Sequence, residues 1–173
     1  MLHHVSIGVA DVERAAQFYD AVLKKLGFKR VMEVMPYGIA YGLAYGPTKP
    51  QFWVQLPHDQ GRASSGNGTH IAFNANSKAA VNAFHAAAVS AGGSDEGAPG
   101  PRPEYTPEYY GAFVRDLDGN KIEAVFFDMS TSKPAAAKAR KAKTAKKGAA
   151  KTTKKAAAKR KSKKRARKGA RRR

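Results

Sequence analysis

The sequence predicts an α+β fold of two βαβββ modules in tandem, followed by a basic tail that stays disordered when free. Three observations carry that prediction. An internal repeat runs at an offset of 66 residues, each copy alternates between strand-like and helix-like apolar patterns, and the charge distribution breaks sharply near residue 133. Such self-similarity takes precedence over local propensity, because two copies of one supersecondary unit constrain the whole architecture.

In the repeat, His4-Val5-Ser6-Ile7 aligns with His70-Ile71-Ala72-Phe73, Asp11 with Ser77, Phe18 with Phe84, Leu23 with Val89 and Gly27 with Gly93. Leu2–Val9 alternates and is β-branched, which predicts a strand. Asp11 is placed to cap a helix that has Glu13 in its first turn. Ala15, Phe18, Val22, Leu23 and Leu26 follow at helical spacing, and Gly27 ends it. Strands are expected over Phe28–Met35, Ile39–Tyr45 and Gln51–Leu56, separated by Pro36, Gly46-Pro47 and Pro57.

The second copy opens with a strand over Thr69–Ala75 and an Ala-rich helix over Ser77–Ala91, closed by Gly92-Gly93. A Pro/Gly-rich crossing loop is expected over Gly97–Pro103, with the second strand of this copy poorly marked. Strands over Tyr109–Arg115 and Lys121–Phe127 then flank Asp118-Gly119-Asn120, a strong hairpin signal. The expected domain is 1–128, with modules 1–57 and 68–128.

Residues 129–173 form the predicted tail. Of the 32 Lys and Arg, 21 lie in 133–173 with no Asp or Glu among them, so the tail carries +21 and the remainder −2. With no aromatic or large aliphatic side chain after Met129, the segment cannot offset the entropy of folding. Its Lys/Ala composition is similar to that of linker-histone tails. A cationic arm of this density is expected to bind nucleic acid without sequence preference, since it has neither a base-reading element nor stacking aromatics. If about 8 phosphates were neutralised, the log–log salt slope would be near −7. A solvated tail with no selected partner is the plainer alternative. No membrane partner is expected, because no amphipathic face or lipidation motif accompanies the charge. The chain has no cysteine, which excludes disulfides and thiolate metal sites. No apolar run approaches the ~20 residues that span a bilayer, and a cytoplasmic setting is expected.

Strand alternation sorts side chains by face. Val5, Ile7 and Val9 make a helix-facing stripe, as do Ile71 and Phe73, Ile122, Ala124 and Phe126, and Phe52, Val54 and Leu56. His4, His70, Glu123 and Gln55 are therefore expected on the opposite faces, which become a lined cavity if the sheets curve. Two imidazoles and a carboxylate suit a divalent first-row metal and leave coordination positions open. The bland alternatives are a polar residue opening a strand at each histidine and a surface charge at Glu123. Alternation turns His3 to the helix side, the predicted helix holds His85, and His58 falls in a loop, so none of these is an expected ligand. Arg102, Tyr105, Tyr109 and Tyr110 lie in or beside the crossing loop, where a substrate mouth is expected. Arg102 offers a planar fork for a carboxylate or phosphate, while the tyrosines are equally ordinary as packing residues.

Three segments carry a resemblance to the vicinal oxygen chelate superfamily of glyoxalases, bleomycin-resistance proteins and extradiol dioxygenases. They are His4-Val5-Ser6-Ile7-Gly8-Val9-Ala10-Asp11, Gly68-Thr69-His70-Ile71-Ala72-Phe73 and Asp116-Leu117-Asp118-Gly119-Asn120-Lys121-Ile122-Glu123. The resemblance implies paired modules with curved sheets around a metal, ligated by His4, His70 and Glu123. The fourth position of glyoxalase I falls on Gln55. A neutral amide there, where the bacterial enzyme has a carboxylate, counts against lactoylglutathione lyase activity. It also makes the triad look more like that of fosfomycin-type thiol transferases and extradiol dioxygenases. The implied metal is Mn, Fe, Ni, Co or Zn, since all accept this donor set. The implied substrate is a small molecule chelating through adjacent oxygens, and a homodimer sharing the site between chains is also implied. Two readings follow: a metal-dependent enzyme tethered to nucleic acid by its tail, nucleoid-associated if bacterial, or a non-catalytic nucleoid-associated DNA-binding protein using the domain as a scaffold.

Overall fold

A computed structural model describes residues 2–43 and 49–129. The predicted tail from residue 130 onward, and the expected strand end and turn at 44–48, lie outside the described residues. Contacts divide the chain into units 1–131 and 132–173, and the described residues all belong to the first.

Asp11 accepts the Arg14 amide at 2.9 Å and so starts α1 (Val12–Leu23) directly after β1 (Val5–Gly8). A single 3-10 turn, Lys24–Leu26, ends on Gly27 at φ 84°, a left-handed conformation that suits glycine. β2 (Phe28–Val34), β3 (Gly38–Leu43) and β4 (Phe52–Gln55) complete the first module. The second repeats the order: β5 (His70–Asn74), α2 (Lys78–Ser90) capped by Ser77, β6 (Ser94–Pro101), β7 (Tyr109–Arg115) and β8 (Lys121–Phe127). The sheets share one strand order, β1-β4-β3-β2 and β5-β8-β7-β6. In each, the first and last strands pair parallel and the rest antiparallel.

The expected crossing loop at Gly97–Pro103 is corrected by β6. Its register against β7 shifts twice, between Asp95 and Gly97 and between Gly97 and Gly100. These bulges let a Pro/Gly-rich stretch form an edge strand while hiding the alternation that would have revealed it.

All the helical residues expected inside α1 and the turn after it are buried: Ala15, Phe18, Val22, Leu23 and Leu26. Against them pack Ile39, Tyr41, Phe52 and Val54 from the first sheet and Phe73, Val114, Ile122 and Ala124 from the second, in a single core. Phe52 and Phe73 meet edge-on with ring centres 5.1 Å apart. The helix-facing sides of both sheets thus share one interior, and their other sides are left to line open cavities.

A polar lock joins the modules. The Asp116 carboxylate accepts from the amides of Asp118 and Asn120, the Asn120 side chain and the Tyr19 hydroxyl at 2.7–3.0 Å. Asn120 also donates to the Gly8 carbonyl, and Asp118 accepts from the Ala10 amide and Arg14. Burial and the neighbouring Asp116 charge push the Tyr19 phenol far up, so it stays a proton donor.

Candidate metal and substrate site

The register of β5, β8 and β7 decides which side chains share the open face of the second sheet. His70 lies opposite Lys121 and Lys121 opposite Arg115. One row along, Ala72 lies opposite Glu123 and Glu123 opposite Phe113. His70 Nε2 approaches Glu123 Oε2 to 3.3 Å. Glu123 is only 1% exposed, whereas the His70 side chain is 47% exposed. The surface-charge alternative for Glu123 therefore fails, and a carboxylate so far from water requires partners. One is Tyr109, whose hydroxyl donates to Glu123 Oε1. Burial, then the hydrogen bond to Glu123, raise the Tyr109 phenol well above its ordinary range, which keeps it protonated.

These groups open on a cavity of about 770 Å³ walled by Tyr105, Phe113, Arg115, Lys121 and the Ser65–Thr69 loop. Tyr105 packs edge-on against Tyr109, and Tyr109 against Phe127. Arg102 does not line this cavity: it spends two donors on the Pro101 and Ala98 carbonyls and covers the Phe113 ring at 5.8 Å. Tyr110 belongs to the other face of β7, hydrogen-bonded to Asn82 of α2 and packed against the core. Of the four residues expected at a substrate mouth, Tyr105 and Tyr109 are at the cavity and Arg102 and Tyr110 are not.

His4 lies in neither this cavity nor that row. It precedes β1, is exposed, and its Nδ1 lies 2.8 Å from Nδ1 of His3. The expected separation of His3 and His4 onto opposite sides is corrected here, because alternation holds only within a strand and β1 begins at Val5. His85, as expected on a helix, pairs with Asp95 at 2.9 Å, and His58 is an exposed loop residue. Gln55 contributes to a separate cavity of about 920 Å³ on the open face of the first sheet, with Val34, Tyr37, Trp53 and His58. Among the described residues, no three His, Asp or Glu side chains gather at one point within the chain.

The pair that does meet has a spacing that a shared cation allows. Two donors bonded at about 2.1 Å and subtending 90–110° at the cation lie about 3.0–3.4 Å apart, and the 3.3 Å between His70 and Glu123 falls in that interval. Alternation from Glu123 would reach Lys121, two residues back on the same face, whereas Phe113 and Arg115 require the β7–β8 register.

Comparison with known proteins agrees with this fold. The model of the Glyoxalase/Bleomycin resistance protein/Dioxygenase superfamily matches residues 1–124. A crystal structure of a glyoxalase/bleomycin resistance protein from Albidiferax ferrireducens T118 is 36% identical. The match covers 73% of this chain and 98% of that one, at a TM-score of 0.64. A glyoxalase-related enzyme from Fulvimarina pelagi (20% identity, 73% and 87% covered, TM-score 0.57) and a lactoylglutathione lyase from Agrobacterium tumefaciens (18%, 73% and 92%, 0.52) share the fold. None of the curated proteins matches.

Proposed function

Because this chain belongs to the glyoxalase/bleomycin resistance protein/dioxygenase superfamily, we propose that it is a metal-dependent enzyme acting on a small oxygen-chelating substrate. The observation that carries this reading is the buried Glu123 held between Tyr109 and His70 on the wall of an open cavity. His70 Nε2 and Glu123 Oε2 would be two ligands. His4 would be the third, with Nδ1 engaged by His3 and Nε2 turned to the cation, the usual division of labour in a ligating imidazole. A bound divalent ion, Mn, Fe, Ni, Co or Zn, supplies Lewis acidity to two adjacent substrate oxygens.

The protein's own residues have separate tasks. Tyr109 holds Glu123 Oε1, leaving Oε2 as the coordinating atom. Tyr105 and Phe113 give the cavity its aromatic walls. Gln55, if it faces the same centre, offers a neutral fourth position, in keeping with a three-ligand site open to substrate.

Since His4 is remote from the other two within a chain, the reading includes a homodimer, in which the first module of one chain closes over the second module of the other. The first sheet presents Met32, Val34 and Tyr37 to solvent, 46–66% exposed, a surface that association would cover. The domain, taken as 1–128 with modules 1–57 and 68–128, is tethered to nucleic acid by the basic residues beyond 132. The setting is then cytoplasmic, and the arm makes the protein nucleoid-associated in a bacterium. The experiment is metal analysis of the purified full chain. We expect one divalent ion per chain in the natural protein and loss of at least nine-tenths of it in His4→Ala. Equal, negligible metal in both would leave a scaffold that only binds nucleic acid.

A further inference from the structure

Resting on that metal-centre reading, we propose that Lys121 is an anion anchor in the cavity of the second sheet. The substrate is then a small planar organic acid, with its chelating oxygens at one end and a carboxylate at the other.

Lys121 and Glu123 are two residues apart on β8 and point to the same face, so their Cα atoms are separated by about 7 Å. Phe113, on the neighbouring strand β7, is the residue opposite Glu123. Lys121 Nζ sits 5.1 Å from its ring centre and Arg102 lies 5.8 Å from it. A flat ligand chelated beside Glu123 would run along Phe113 and bring its far end to the ammonium group.

Lys121 and Arg102 lie over this ring and Arg115 is paired with Lys121 across β7 and β8, but the three cations are not equivalent. Arg115 is held from two sides: Nε and Nη2 fork Glu96 at 2.7 and 3.4 Å, and Nη1 donates to the Gly119 carbonyl at 2.8 Å. Arg102 is turned to two backbone carbonyls. Lys121 has one long contact, 3.4 Å to the Glu96 oxygen that also receives the weaker arm of the Arg115 fork. Lys121 thus lines the cavity with a single weak contact and two of its three donors unused, whereas Arg102 does not line it and the Arg115 fork is fixed in place by Glu96. Because Arg115 already holds Glu96, an incoming carboxylate displaces only that long contact.

The test uses the metal-loaded full chain, without oxygen and at physiological salt. Its probes are 3,4-dihydroxybenzoate and the neutral isostere 3,4-dihydroxybenzamide, which share the chelating diol. By calorimetric titration, the acid should bind about fivefold more tightly than the amide, as expected of a half-exposed ion pair. The ratio should fall to about one in Lys121→Met and recover in Lys121→Arg. Metal-dependent binding of both probes with a ratio near one in the natural protein overturns the anchor alone. A ratio that persists in Lys121→Met overturns the assignment to Lys121. No metal-dependent binding of either probe overturns the metal centre and the anchor together.

Discussion

A carboxylate as buried as Glu123 is costly unless hydrogen bonds and charge meet it on every side. Tyr109 and His70 do so through different oxygens, and in the proposed metal centre this division leaves Oε2 as the ligand atom. Tyr109→Phe keeps the ring contacts with Tyr105 and Phe127 but frees Oε1. The expected result is divalent-metal affinity about tenfold weaker, the ordinary cost of losing an outer-shell partner, measured by titration of the metal-free protein. At this scale the sequence was partly legible. Glu123 and His70 announced themselves by alternation and by repeat symmetry. Tyr109 and Tyr110 did not separate, because adjacent strand residues point oppositely and only the pairing with Phe127 and Phe126 says which one faces the cavity. Arg102 looked free because a guanidinium's use of nearby backbone carbonyls leaves no trace in composition.

Elements place these residues through the Asp116–Asn120 turn, which joins β7 to β8 and hydrogen-bonds the end of β1. Its glycine, Gly119 at φ 88°, makes the tight reversal possible. Tyr19→Phe removes one donor from the buried Asp116 carboxylate without changing the packing shape, and should cost about 1–3 kcal/mol, seen as a lower unfolding midpoint in denaturant. The hairpin was plain in the sequence because Asp-Gly-Asn dictates backbone geometry locally. The strand β6 was not, because two register shifts and four Pro/Gly positions erase its period. Its membership of the sheet is decided by pairing with β7, a contact made across the intervening Arg102–Glu108 loop. Both helices were read correctly in kind, yet Val89, matched to the fully buried Leu23, is 44% exposed. Repeat equivalence thus carries over to topology more faithfully than to burial.

For the whole molecule, the two halves of the charge distribution ask for two partners. Under the proposed function a second copy closes the open cavities of the domain. The 21 basic residues beyond 132, whose structure lies outside the described residues, are proposed to bind a polyanion. Deleting 133–173 should abolish retardation of duplex DNA on gels while leaving the metal content of the domain unchanged. Retardation that survives the deletion would move nucleic-acid binding onto the domain. The two-module plan was legible because repetition marks it directly. The way the modules pack, with helix faces inward and open faces apart, was not, since it depends on contacts such as Phe52 with Phe73 that no periodicity encodes.

That packing makes a site shared between chains the central claim, and mixed dimers test it most directly. Chains carrying His4→Ala and chains carrying Glu123→Ala are each expected to bind no metal alone. Refolded together and isolated as a heterodimer, they should hold one divalent ion per dimer, because a single intact set, His4 from one chain with His70 and Glu123 from the other, is restored. A heterodimer as empty of metal as its parents would contradict the shared centre.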